Sequence, residues 1–369
     1  MLMTTNAKPK RPDFVLCIPI VILVGIGMVM VYSSSSIQSQ ELYGDRGVIF
    51  YKQMVALVLG SFLLVANMFI PHRIYRSRPI LFLALLGAVT LLVGVQFEEA
   101  ANGARRWYYI GQFGFQPSDL AKLVLVMFVS GFATAHWPDH RLWSRRLLFI
   151  VPVLVLFSAL VLMQPDFGTT MIMILIVGIM LFLAGLPLKH LVLGALLLLP
   201  MVVGMVFSKS YRVKRIADYF FTEHYQTTQA KLAIGSGGLT GVGLARGKQK
   251  LFYLPEPHTD FIFATLGEEF GFLGTVTVLA CYLFFLWRGA WVLRRVEAPH
   301  SKLLGSGLLL LITVQALINI SIALALFPNK GLTLPFLSAG GTSLIMCLGM
   351  CGMLLNISRG QVIENRVAV

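Results

Sequence analysis

The 369-residue chain is poor in charge: 12% of it is Asp, Glu, Lys or Arg, about half of what a soluble domain carries. That shortage, with 57% hydrophobic residues and a mean hydropathy of +0.80, excludes a soluble globular enzyme. Cysteine is scarce as well. Cys17, Cys281, Cys347 and Cys351 all lie in apolar runs, so neither a disulfide framework nor zinc-ligand spacing is in view, and the four-residue step from Cys347 to Cys351 reads as small-residue helix packing. HExxH, EF-hand and GxSxG patterns are missing, which removes metalloprotease, calcium-binding and serine-hydrolase readings. No repeat of 20 to 50 residues is apparent. The glycine cluster GSGGLTGVGLARGKQK (Gly235 to Lys250) has neither the GxGxxG nor the GxxxxGK[ST] register. It is expected to form a re-entrant or tightly turning loop, with glycine allowing close approach of a ligand.

What the chain does have is long apolar runs. A helix needs about 20 such residues to cross the hydrocarbon core, and ten stretches qualify, starting near residues 13, 49, 79, 117, 147, 168, 189, 262, 303 and 335. The expected fold is therefore all-α and polytopic: a single membrane domain over 13–358, with tails at 1–12 and 359–369. One large loop, about 208–261, joins the seventh and eighth spans. Sixteen of the thirty Lys and Arg residues fall in alternate loops, among them Lys8, Arg76, Arg145, Arg294 and Arg359. This places that face and both termini in the cytoplasm. His72, His136, His140, His190 and His300 fall at the same ends. The large external loop carries eight basic against four acidic residues, an excess suited to an anionic headgroup or phosphate; a solvated surface is the plain alternative.

Ionisable groups at membrane depth are costly and so mark candidate sites. Four segments stand out, all on the external half. In PEPHTDFIFATLGEE (Pro255 to Glu269), Asp260 precedes an apolar helix, and partial desolvation there would raise its pKa and make it a competent base. Capping of that helix by Thr259 and Asp260 is an equal alternative. Glu268 and Glu269, two turns inside the helix, carry a cost that usually implies a buried partner such as a Lys or Arg. In NGARRWYYIGQFGFQPSDLAKL (Asn102 to Leu123), Arg105 and Arg106 suit bidentate phosphate binding, while Lys122 could pair with Asp119 three residues earlier. In QPDFGTT (Gln164 to Thr170), Asp166 is expected to cap the following helix. NKGLTLPFLSAGGTSL (Asn329 to Leu344) carries Lys330 and a Pro335, Gly340, Gly341 pattern that suggests a broken helix lining a cavity.

The motifs GARRW, FQPSDLAKL, QPDFGTT, AIGSGGLTGVGL running into KQKLFYLPEPHTDFIFATLGEE, and KGLTLPFLSAGGTSL together resemble the SEDS family of bacterial cell-wall glycosyltransferases, from the first span to Arg359. Within it the division type is the nearer match, with the elongation type second. The resemblance implies an enzyme that polymerises lipid II, a disaccharide-pentapeptide on undecaprenyl pyrophosphate, at the outer leaflet of the inner membrane and at the septum. It implies Asp260 as the catalytic base of an inverting reaction. It implies Arg105, Arg106, Lys122 and Lys330 as binders of the donor pyrophosphate or lipid, with Arg246, Lys248, Lys250, His258 and Ser338 as further substrate-binding candidates. No certain cofactor follows; a divalent cation, Mg²⁺ or Mn²⁺, at the pyrophosphate is compatible, although no acidic cluster of metal-ligand type is visible. The implied partners are a class B penicillin-binding protein, held by the external faces of the eighth and ninth spans, and other divisome membrane proteins; nucleic acid is not among them. Ala339 stands where relatives often have an aromatic residue, YFFTEHYQTT is shorter than the usual stretch, and Gly114 and Phe115 occupy positions where some relatives carry an arginine. A lipid II flippase and a non-catalytic scaffold are the rival readings.

Overall fold

The computed structural model describes residues 11–100, 104–111, 113–135, 143–194, 196, 204, 225–251, 253–327 and 331–359. Among these residues ten α-helices are delimited: α1 Cys17–Tyr43, α2 Val48–Phe69, α3 Arg78–Gly94, α4 Pro117–Ala133, α5 Trp143–Met163, α6 Phe167–Leu183, α7 Tyr225–Ser236, α8 Ile262–Arg294, α9 Pro299–Ala323 and α10 Gly341–Arg359. Apolar runs of this length form helices because lipid offers no partner for the backbone, so every N–H and C=O must be satisfied within the segment. Seven of these helices are long and apolar enough to cross a membrane; α4 and α6, at 17 residues each, are shorter. The expected span near residue 189 lies mostly outside the described residues, which are helical at 188–194.

Local chemistry sets the helix ends. Asp166 caps α6, its Oδ1 accepting from the Thr169 N–H at 3.1 Å, as its place in the sequence suggested. Gly44 ends α1 with φ 73°, a left-handed conformation that costs glycine least. Pro117 and Pro299 open α4 and α9, where a missing N–H does no harm. The last helix starts at Gly341 rather than near 335, because residues 331–340 form turns whose apolar members Leu332, Leu334, Phe336 and Leu337 are buried.

α9 and α10 form the centre, with 72% and 78% of their most apolar stretches buried, against 17% for the peripheral α2. Small residues let α2 and α10 approach closely. A side chain at Gly60 would meet Ile345 and Leu348, and one at Gly352 would meet the Leu64 backbone, a small-residue interface of the kind lipid favours. Cys347 and Cys351 are free and buried in this region.

The bundle has two distinct ends. At one, Asp13, Ser358 and Arg288 meet, and Asn356 and Arg359 donate to the Met68 carbonyl. At the other lies a two-stranded antiparallel hairpin, β1 Tyr108–Ile110 and β2 Phe113–Phe115, with Tyr108 opposite Phe115. It is tied to the start of α10, where the Thr342 hydroxyl donates to the Gly114 carbonyl and accepts from the Gln116 N–H.

The glycine cluster takes its place in α8. That helix is broken at Gly271 (φ 65°, ψ −160°), which leaves the carbonyls of Glu268 and Glu269 and the N–H groups of Phe272 and Leu273 without their intrahelical partners. The loop supplies all four: Val242 and Gly243 donate to the two carbonyls at 3.0 and 3.1 Å, and Gly238 and Leu239 accept from the two N–H groups at 2.8 and 3.1 Å. A Cβ on Gly237, Gly241 or Gly271 would collide with backbone across this junction. The close approach anticipated for these glycines is therefore to another stretch of backbone rather than to a ligand.

Candidate active site

Asp260 stands one residue before the N-cap of α8, where Phe261 makes no side-chain cap. The capping alternative thus falls away: the Asp260 carboxyl receives no hydrogen bond among the described residues, and the segment is held by its main chain instead. Four successive carbonyls are bonded. Pro257 O accepts from Thr265 Oγ1 (3.1 Å), His258 O from Ala339 N (2.8 Å), Thr259 O from Ser338 Oγ (2.6 Å) and Asp260 O from Asn319 Nδ2 (3.0 Å). The three donors outside α8 come from α9 and segment 331–340. That segment is itself fixed by Gln53 of α2, whose amide donates to the Ser338 carbonyl and accepts from the Gly340 N–H, both at 3.1 Å. Gly331 (φ 61°) faces the carboxylate so closely that a Cβ there would lie 3.4 Å from Oδ2.

Protein surrounds the carboxyl of Asp260 on most sides. Burial, with the negative charges of Glu256 and Asp166 in support and the Arg106 guanidinium opposing, pushes its pKa up from 3.8 to about 7. A carboxylate poised near neutrality and partly dry is suited to taking a proton from a hydroxyl. His258, two residues earlier, is buried with Nδ1 unpartnered among the described residues. Burial lowers its pKa, against the pull of Glu256.

The basic candidates divide into two groups. Arg106 clasps the turn before α6, donating to the carbonyls of Gln164 (2.8 Å) and Pro165 (2.5 Å) while remaining partly accessible. Arg105 is exposed and anchored on Gln96 O at 2.7 Å. Arg246 and Lys248 are exposed, with no ion pair among the described residues. The second group is spent inside the protein. Lys250 lies 2.6 Å from Glu269 Oε1 and 2.8 Å from Ser33 Oγ, all three residues buried; it is the cation that Glu269 required. Glu268 takes a different solution, accepting from the backbone N–H of Lys248 at 2.7 Å and of Gln249 at 3.2 Å. Lys122 is paired with Asp119 at 2.8 Å and bonded to Gln315 Oε1 at 2.8 Å. Gln315 continues to Thr333 and through it to Ser343, and a small cavity of about 10 Å³ opens beside Lys122. Lys330, His136 and His140 lie outside the described residues, as does the YFFTEHYQTT stretch except its last residues.

Among the described residues no three His, Cys, Asp or Glu side chains come together as a metal site, so the residues present do not form a protein-built cation cage. The site also uses Asn319, Gln53, Gln315 and Glu256, none of which stood out in the sequence. The three amides are neutral polar groups within apolar spans, a weaker signal than a charge, and Glu256 is one of several loop carboxylates.

The sequence model of the FtsW, RodA and SpoVE family, described as cell cycle protein, matches residues 14–362. The probable peptidoglycan glycosyltransferase FtsW of Trichlorobacter lovleyi is 35% identical over 94% of this chain and 93% of its own length. Stage V sporulation protein E of Bacillus subtilis is 35% identical over 97% of this chain and 99% of its own. Among solved structures, a chain of a peptidoglycan synthase complex that coordinates polymerization and crosslinking superposes with a TM-score of 0.78 at 28% identity, covering 94% of this chain and 98% of that one. The rod shape determining protein RodA of Thermus thermophilus gives 0.70 at 29%, covering 96% and 98%. With a family match over nearly its whole length and relatives above 30% identity, the chain belongs to the FtsW, RodA and SpoVE family.

Proposed function

We propose that the protein is a peptidoglycan glycosyltransferase of the division type, polymerising lipid II at the outer face of the inner membrane. The observation that carries this reading is Asp260: a carboxyl with no hydrogen bond among the described residues, raised to about 7, on a segment whose backbone is pinned while its side chain is left to act. The relatives named as glycosyltransferases support the substrate class. In the reaction, Asp260 accepts the proton of the acceptor sugar hydroxyl as that oxygen attacks the anomeric carbon of the donor. The bond from that carbon to the lipid pyrophosphate breaks with inversion, so no covalent sugar intermediate is needed. Arg106, Arg105, Arg246 and Lys248, accessible cations of this end, would stabilise the departing pyrophosphate. Lys122 and Lys250 would act through their buried pairs, holding the helices that line the site, and His258 and Ser338 would position the Asp260 segment. No step is assigned to a divalent cation.

The full topology fits ten spans: α1 to α6, α8 to α10 and one that includes residues 188–194, with α7 in the external loop and both termini in the cytoplasm. The solved peptidoglycan synthase complex supports a class B penicillin-binding protein as partner, on the external faces of α8 and α9. The test is lipid II polymerisation by the purified protein with its cognate transpeptidase. Glycan strands should form with wild type and vanish in Asp260→Ala and Asp260→Asn at matched yield. Retained activity in the variants would move the base elsewhere, and a silent wild-type complex would favour a flippase or scaffold.

A further inference from the structure

The end of the protein opposite Asp260 contains a cavity of about 360 Å³, where segment 11–15, the last turn of α8 and Ser358 of α10 meet. Its wall is fixed by a clasp. Arg288 Nη2 lies 2.7 Å from Asp13 Oδ2 and its Nε 3.2 Å from Oδ1, while the Asp13 N–H donates to Ser358 Oγ at 3.0 Å. The Asp13 charge is thereby spent on Arg288. Arg11 and Arg295 also line the cavity, both exposed and neither in an ion pair among the described residues. The Arg295 guanidinium lies 3.4 Å from the Trp291 ring centroid, with Arg288 4.1 Å from the same ring. A stacked guanidinium keeps its N–H groups in plane at its edge, free for phosphate oxygens. The negative end of α8 is muted, since the Val292 and Leu293 carbonyls are taken by the N–H groups of Arg295 and Val296. The result is a concave site with two cations that have no ion pair among the described residues and an aromatic wall at the edge of apolar helices, the kind of place where lipid headgroups lodge.

We propose that this cavity binds the phosphodiester headgroup of an anionic phospholipid from the adjoining leaflet, with Arg11 and Arg295 as its cationic arms and Trp291 as its platform. The bound headgroup braces segment 11–15 against α8 and α10, whose opposite ends begin beside Asp260 and after segment 331–340. The inference concerns lipid binding alone and stands apart from the catalytic reading.

The test uses the full chain in phosphatidylcholine nanodiscs carrying spin-labelled phosphatidylglycerol. Wild type should immobilise the label saturably, and Arg11→Gln with Arg295→Gln should weaken that binding at least about tenfold, two charge-assisted contacts being lost. Val296→Phe, which fills the cavity and keeps both charges, should expel the label as well. Arg294→Gln removes the same charge one residue away, outside the cavity lining, and should bind as wild type does. Thermal midpoints in phosphatidylcholine alone establish that each variant is folded. Unchanged binding in the double variant or in the filled cavity overturns the proposal, and so does an equal loss in Arg294→Gln, which would mean diffuse surface charge. Displacement of the label by low-millimolar inorganic phosphate would overturn the lipid as occupant in favour of a soluble phosphate.

Discussion

Asp260→Asn should abolish polymerisation and at the same time stabilise the protein, in a manner that depends on pH. The carboxyl titrates near 7 in the folded protein against 3.8 for the ordinary group, so between these values the folded state holds a proton that the unfolded state has released. Stability contributed by this group is fully present below about 4, declines as pH rises toward 7, and is absent above it. The interval is about three pH units, and at about 1.4 kcal/mol per unit the wild-type carboxylate costs up to about 4 kcal/mol at pH 8. The residue keeps some accessible surface, so the realised figure should be nearer half of that. Asparagine preserves the shape without the charge. Thermal unfolding in detergent, followed from pH 4 to pH 8, should show the variant close to wild type at the acid end and several degrees more stable at the alkaline end. A difference that does not change with pH, or a variant that is less stable at pH 8, would refute the claim that Asp260 is a desolvated carboxyl.

Glu256→Gln should move the acid limb of the pH–rate profile to lower pH, because the negative charge of Glu256 holds the Asp260 pKa up; the displacement should be less than about one unit, as Glu256 is exposed and water screens it. Lys250→Met should destabilise the protein by about 3–5 kcal/mol by leaving Glu269 buried without its cation, and Lys250→Met with Glu269→Gln should recover part of that loss, which thermal midpoints of the two variants would read. Gly241→Ala should prevent the loop from docking in the break of α8, since the new Cβ meets the Glu269 carbonyl group at a positive φ; a cost above about 2 kcal/mol and rapid proteolysis within 237–250 are the expected readouts.

Much of this arrangement is legible in the sequence because lipid imposes simple rules. The starts of α2, α3, α4, α6 and α8 fall within a residue of where hydropathy sets them, and the need of Glu269 for a cation follows from the cost of a bare charge at that depth. The start of α10 is misplaced by hydropathy because Leu332 to Leu337 is apolar for a different reason: it packs as turns inside the protein, not as helix in lipid. The partner of the glycine cluster is invisible for a related cause. Backbone pairing between Gly238–Gly243 and the break at Gly271 depends on main-chain groups that every residue carries, so only the glycines needed for clearance leave a mark, and that mark names no partner. Hairpin 108–115 belongs to the same class, whereas Asn319 is missed because a neutral side-chain amide in an apolar span marks itself less than a charge does.

Buried charge in this protein follows two regimes, and the contrast between them bears on function. Glu269 with Lys250 and Asp119 with Lys122 are ion pairs, while Glu268 is satisfied by loop N–H groups; in each case the cost of desolvation is met within the fold. Asp260 is treated in the opposite way, for the carbonyls of 257–260 are all bonded and the carboxyl has no hydrogen bond among the described residues. A side-chain ion pair would have fixed Asp260 equally well, but it would have lowered the pKa and cost the group its capacity to accept a proton at neutral pH. Holding the segment by its carbonyls separates position from basicity. Asn319, Ser338 and the Ala339 N–H are therefore the elements that hold the Asp260 segment in place, and Arg106, the cation among the described residues that lowers its pKa, is restrained by donating to the carbonyls of Gln164 and Pro165 instead of to the carboxylate.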